Sequence, residues 1–224
     1  MVLLSYYHAE PIAGDRGLSV TCCMKHPDLF QHYATQVARV DEQLKPHGWL
    51  LGHDEIRVAG RCSLCDVEGK TCGDLLSDNV GKCLEIARGS GSRPVAVWSD
   101  MFDKYHNARE NYFLAHDTFA ESWNGLKPVG ETRIINWNNL LEESDGPNSK
   151  TLREKSVEKF QQLGHKQTAA MFYDKKGDLE EHTKSWLDLA GKYPSIDAFL
   201  YTTWENDFSK LKWTAEQVRA RFPN

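Results

Sequence analysis

Residues 47–60, HGWLLGHDEIRVAG, place a short apolar run directly before two adjacent carboxylates. The run Trp49-Leu50-Leu51 is typical of a buried strand, and Asp54 and Glu55 follow at the point where such a strand ends. The stretch therefore predicts a strand that delivers acidic side chains to one rim of a fold.

Comparable runs recur along the chain. They predict strands near residues 2–7, 49–55, 94–100, 132–138, 168–174 and 197–204. Helical spacing of apolar residues predicts helices at 27–44, 149–164, 180–193 and 214–222. Alternation of strands with helices favours a parallel sheet, because parallel neighbours need a crossover connection. The expected fold is one α/β domain over 1–224, a partial (β/α)8 TIM-type barrel with five to six strand-helix units.

Composition excludes several classes of function. The 224 residues carry 27 basic and 32 acidic side chains, a net charge of −5, without a long block of like charge. This balance disfavours a nucleic-acid surface or a polybasic membrane anchor. No apolar run is long enough to span a bilayer, and the first residues lack the basic start of a signal peptide. The expectation is a soluble cytoplasmic protein without nucleic-acid or membrane partners.

The predicted strands end in carboxylates and aromatic side chains. These residues are His53, Asp54, Glu55, Trp98, Asp100, Trp137, Tyr173, Asp174, Trp204 and Glu205. In a (β/α) barrel this rim carries the active site. Aromatic faces stack on the C–H surface of a sugar while acids bind its hydroxyls, so the set favours a carbohydrate site. In the alternative interpretation the tryptophans pack under loops, and the acidic pair forms an ion pair with Arg57 or Arg61.

The order of these strand ends resembles the second half of the catalytic barrel of glycoside hydrolase family 20, the β-N-acetylhexosaminidases. Asp54-Glu55 matches the Asp-Glu pair after that family's fourth strand. Phe172-Tyr173-Asp174 matches the motif after the seventh strand, and Trp204 the tryptophan after the eighth. The acidic pair follows Gly-His here, where the family has Gly-Gly, and Asp100 stands where glutamate is common. The similarity covers about residues 45 to 210, without the family's first strands and their arginine.

The resemblance implies substrate-assisted, retaining cleavage of terminal N-acetylhexosamine in an enclosed pocket, without a cofactor. Glu55 would be the general acid/base, and Asp54 would orient the acetamido group. Tyr173 would donate a hydrogen bond to the acetamido oxygen. The other implied substrate contacts are His53, Trp98, Asp100, Trp137, Asp174, Trp204 and Glu205.

Two other classes of function remain open. One is a carbohydrate-binding or truncated barrel protein without turnover. The other is a metal-dependent hydrolase that uses His53, Asp54 and Asp100.

The cysteines allow a separate hypothesis. Cys62 and Cys65 have the C-x2-C spacing of half a zinc knuckle, with Cys72 and Cys83 as further ligands. Free or paired thiols are the alternative interpretation. Adjacent Cys22 and Cys23 predict packing at a helix start.

The number of strands predicts association. A closed barrel of this type has eight strands and about 250 residues. We expect either a truncated gene product or a sheet that closes against a second copy, because open edges expose unpaired backbone groups. The prediction is a homodimer or higher oligomer with residues 1–20 and 197–204 at or near its interface. The alternative is a monomer whose N-terminal residues and final helix fold over the exposed face.

Overall fold

The computed structural model describes residues 23–56, 58–60, 62–89, 93–106, 114–115, 122, 132–139, 141, 150–172 and 179–223. The chain divides into two compact units, residues 1–132 and 133–224.

Five strands form one parallel sheet. They are β1 (Trp49–Leu50), β3 (Val95–Trp98), β5 (Thr132–Asn136), β6 (Gln167–Phe172) and β7 (Ile196–Thr202), in that order across the sheet. The short strands β2 (Val58–Ala59) and β4 (Leu114–Ala115) form a second parallel pair. Neighbours follow chain order, as in a (β/α) barrel, whereas a doubly wound sheet reverses its order. The predicted α/β class with a parallel sheet is confirmed, while the expected strand at 2–7 lies outside the described residues.

The first unit is built on two 18-residue helices, α1 (Pro27–Leu44) and α2 (Cys72–Gly89), which pack against each other. The ring of His26 caps α1 by accepting the Asp28 N–H at 3.3 Å. The helix α2 was not predicted from the sequence, although its buried apolar residues recur at helical spacing. These are Leu75, Leu76, Val80, Leu84 and Ala87.

The second unit contains α3 (Leu152–Gln162), α4 (Leu179–Lys192) and α5 (Leu211–Arg221). The helix predicted from Ser149 begins later, because the Thr151 hydroxyl caps it by accepting the Glu154 N–H at 3.1 Å. Ser149 lies outside the described residues. Gly164, at φ 84°, follows the helix as predicted. The core of this unit comprises Val157, Ala169, Met171, Trp186, Leu189, Ala190, Tyr193 and Ile196.

A fully buried arginine joins the end of β5 to α4. Arg153 Nε donates to the Asn138 carbonyl at 2.7 Å, and its guanidinium lies 4.6 Å from the centroid of the Trp186 ring. Burial lowers the pKa of Arg153 to about 9. Because Asn138 follows Trp137, this arginine fixes the backbone next to a predicted site residue.

Of the helices described, none is both long enough and apolar enough to cross a membrane.

Candidate functional site

The backbone after β1 turns before it reaches the acidic pair. Leu51 N–H donates to the Ala96 carbonyl at 3.0 Å, and Trp98 N–H donates to the Gly52 carbonyl at 3.2 Å. Gly52 and His53 then adopt left-handed backbone, with φ 77° and 67°. The strand predicted to run to residue 55 is therefore shorter, and Asp54 and Glu55 lie on the loop that follows it. Since they are off the strand, the alternation that would send adjacent side chains to opposite faces does not apply to them.

A buried carboxylate fixes the backbone of Glu55. Asp100 is fully buried at the start of a 3-10 helix (Asp100–Phe102), and its Oδ2 accepts the Glu55 N–H at 2.7 Å. Glu55 itself is left-handed, with φ 44°, a conformation that L-residues other than glycine rarely adopt. A charge-assisted hydrogen bond of this kind stabilises such a turn. The geometry makes Asp100 a positioning residue for Glu55.

His53 connects the same loop to α2. Its Nε2 lies 3.1 Å from Asn79 Oδ1, and Asn79 Nδ2 donates to the Met24 carbonyl at 2.7 Å. Burial lowers the pKa of His53, against the opposing effects of the Asn79 hydrogen bond and the Asp54 charge. Asn79 was not predicted as a site residue, because its partner His53 lies 26 positions away in the chain.

The first unit thus brings five predicted residues to the carboxyl ends of two adjacent parallel strands. They are His53, Asp54, Glu55, Trp98 and Asp100. Trp98 is half-buried, whereas the side chains of Asp54 and Glu55 are exposed. The described residues therefore do not form the enclosed pocket that was expected around the Glu55 side chain. Arg57 and Arg61, the ion-pair partners of the alternative interpretation, lie outside them.

In the second unit, three predicted residues follow the ends of their strands. Trp137 comes directly after β5 and is half-buried. Trp204 and Glu205 come after β7, and the Trp204 side chain is 73% exposed. Tyr173 and Asp174 lie outside the described residues.

The metal-hydrolase alternative lacks a ligand group in the described part of the chain. In that part, three ligand atoms from His53, Asp54 and Asp100 do not come together. The one group of three ligand atoms found there consists of Cys23, Cys62 and Cys65.

The cysteine group differs from the predicted one. Cys72 and Cys83 both lie on α2, and eleven residues of helix separate two positions by about 16 Å, so both cannot bind one ion. Cys23, assigned to packing from the sequence, joins Cys62 and Cys65 instead.

The three thiols of this group differ in acidity. Burial, as the largest effect, raises the pKa of Cys65 to about 12 and also raises that of Cys23. Burial acts on Cys62 in the same direction. The neighbouring Cys23 and Cys65 thiols and the backbone N–H groups of Cys65 and Leu64 outweigh it and lower the pKa of Cys62. Cys62 is therefore the most acidic of the three thiols.

No protein-family model and no curated protein matches this chain.

Proposed function

We propose that the loop after β1 and the end of β3 bind the terminal N-acetylhexosamine of a glycan and that Glu55 acts there in glycoside hydrolysis. One observation carries this proposal. The acidic pair follows β1, Trp98 ends the adjacent parallel strand β3, and Asp100 holds the Glu55 backbone.

The left-handed backbone of Gly52 and His53 supports the resemblance to family 20. That family has Gly-Gly before its acidic pair, and glycine is the residue that adopts positive φ at the lowest cost. This chain keeps glycine at the first of the two positions. At the second, where φ is 67°, it has histidine, one of the non-glycine residues enriched in this conformation.

The chemistry that the resemblance implies can be assigned to the loop. The carbonyl oxygen of the substrate's acetamido group attacks C1 while Glu55 transfers a proton to the departing oxygen. Asp54 accepts the acetamido N–H and stabilises the positive charge of the oxazolinium. Water then adds to C1 as Glu55 takes up its proton, which restores the acetamido group and the acid. The further substrate contacts that the resemblance implies remain predictions, and they are Trp137, Tyr173, Asp174, Trp204 and Glu205.

A second candidate function is sugar binding without turnover. The exposure of both carboxylates favours it, because a general acid usually depends on an enclosed environment to remain protonated near neutral pH.

Hydrolysis of an aryl N-acetyl-β-glucosaminide tests the proposal. Glu55→Gln should lower the rate by about 100-fold or more, and by less with a dinitrophenyl leaving group, which needs little protonation. Glu68→Gln, at an exposed glutamate of the same unit, is the matched control and should retain the wild-type rate.

Calorimetric titration with N-acetylglucosamine separates the two candidates. Binding that Asp54→Asn weakens, without turnover by the wild-type protein, would favour the second candidate. A protein that neither binds nor hydrolyses the sugar would exclude both candidate functions.

A further inference from the structure

Three buried thiols lie together in the first unit, apart from the residues assigned to sugar. The Sγ atoms of Cys23, Cys62 and Cys65 all lie within 4.8 Å of one another. Cys23 Sγ is 3.3 Å from Cys62 Sγ and 3.6 Å from Cys65 Sγ. A disulfide would bring two sulfurs to about 2.05 Å, and all three cysteines are free. The side chains are only 4% to 7% exposed.

The separations fit a thiolate metal centre. Zinc with bonds of about 2.3 Å to sulfur in tetrahedral geometry holds its sulfurs about 3.8 Å apart. The two measured separations are slightly shorter, so an ion would need small side-chain adjustments at this site. Among the described residues the group consists of three sulfurs, and zinc is a metal that thiolates bind well.

The backbone that carries Cys62 and Cys65 forms a tight turn. In the turn formed by Cys62–Cys65, the N–H groups of Cys65 and Asp66 both donate to the Cys62 carbonyl at 2.9 Å. The turn thus holds Cys62 and Cys65 close together with the C-x2-C spacing that is typical of a zinc knuckle.

We propose that Cys23, Cys62 and Cys65 bind one zinc ion as thiolates, with one position left for a fourth ligand. The three thiols release their protons on binding, and the divalent ion balances most of the resulting negative charge.

This centre would have a structural role. Cys23 precedes α1, whereas Cys62 and Cys65 lie in the segment between β2 and α2, 39 and 42 residues further on. The ion would therefore hold two distant segments of the first unit together, and metal binding of this kind contributes directly to folding free energy. The turn begins seven residues after Glu55, so the ion would also restrain the chain that follows the acidic pair.

Metal content of the purified protein tests this proposal. Elemental analysis and native mass spectrometry should find about one zinc per chain. The variants Cys23→Ser, Cys62→Ser and Cys65→Ser should each retain less than about one tenth of it. Cys83→Ser is the matched control, because Cys83 is also buried and free but lies outside the group, and it should keep its zinc.

Cobalt substitution provides a readout that does not require a variant to fold. Wild-type protein loaded with Co²⁺ should show the near-ultraviolet charge-transfer band and the intense visible bands of tetrahedral thiolate ligation. Chelator treatment should lower the Tm of wild-type protein and leave that of folded Cys65→Ser unchanged.

Several results would overturn the proposal. One is wild-type protein that neither retains nor takes up zinc. Another is a loss of zinc in Cys83→Ser as large as in the three ligand variants. A third is an intact mass two hydrogens below that of the reduced chain, which would indicate a disulfide within the group. None of these measurements involves a sugar, so the zinc centre and the glycosidase proposal can fail independently.

Discussion

His53 has constraints on both its backbone and its ring. Its φ of 67° is left-handed, and its ring nitrogen bonds Asn79 in a buried environment that lowers its pKa below 6.5. The unfolded chain holds a proton on this residue up to about pH 6.5, whereas the folded chain loses it at lower pH. The unfolded state therefore binds more protons between the two pKa values, so stability falls as pH decreases through this range.

Replacing His53 with asparagine should reduce this pH dependence. Asparagine tolerates left-handed backbone, so the turn should persist. Thermal unfolding followed by circular dichroism at about pH 7.5 and about pH 5.5 should show a smaller drop in Tm for His53→Asn than for wild type. His47→Asn, at an exposed histidine of the same unit, is the control. An equal drop in His53→Asn and wild type would contradict the assignment.

At the residue scale, the side chains at the ends of strands could be predicted from the sequence, whereas the distant residues that hold them in place could not. Asp54, Glu55, Trp98 and Asp100 could be found because a polar or aromatic residue after an apolar run marks a strand end. The partnership of Asp100 with the Glu55 backbone, across 45 positions, depends on the tertiary structure. The same holds for Cys23, whose sulfur partners lie about 40 residues away.

At the element scale, the pairing of β1 with β3 requires a glycine. Pro94 O accepts the Trp49 N–H at 2.9 Å, and a Cβ on Gly48 would lie 2.9 Å from the same oxygen. Gly48→Ala should therefore lower the free energy of unfolding by about 1 to 3 kcal/mol, since backbone atoms must shift to accept the methyl group.

Gly81→Ala is the matched substitution with the opposite expected sign. Gly81 lies inside α2, and a Cβ there meets nothing within 4 Å. Alanine should raise the free energy of unfolding by up to about 1 kcal/mol through helix propensity. Urea unfolding of both variants measures the pair. Wild-type stability in Gly48→Ala would show that the start of β1 is not held as tightly as this contact indicates.

The elements themselves were largely predictable. Five of the six expected strands lie in the sheet, because parallel strands are short, apolar and bounded by polar residues. The strand β1 is shorter than predicted, because Gly52 and His53 turn the backbone before it reaches Asp54 and Glu55. The helix α2 was not predicted because its glycines have low helix propensity, although its apolar residues recur at helical spacing.

At the scale of the whole molecule, the edge of the sheet at β7 is much less covered than the neighbouring strand β6. Residues 167–171 of β6 are all buried, whereas residues 198–202 of β7 are only half-buried. Interior strands of parallel sheets are normally buried on both faces. The chain after β7 adds exposed apolar side chains, with Phe208 60% and Leu211 45% exposed. This combination is typical of a surface that another chain covers.

We therefore expect a homodimer that uses the β7 edge and the apolar residues after it, since symmetric pairing is the commonest closed arrangement. Light scattering over a range of concentrations should show a dimer for the wild-type protein. Leu211→Lys places a charge in the expected contact and should raise the dimer dissociation constant by about tenfold or more, equivalent to about 1.4 kcal/mol. Leu44→Lys changes an exposed leucine of the other unit and should leave the constant unchanged. A protein that remains monomeric at every concentration would contradict the dimer, and the half-buried face of β7 would then have to be stable in water.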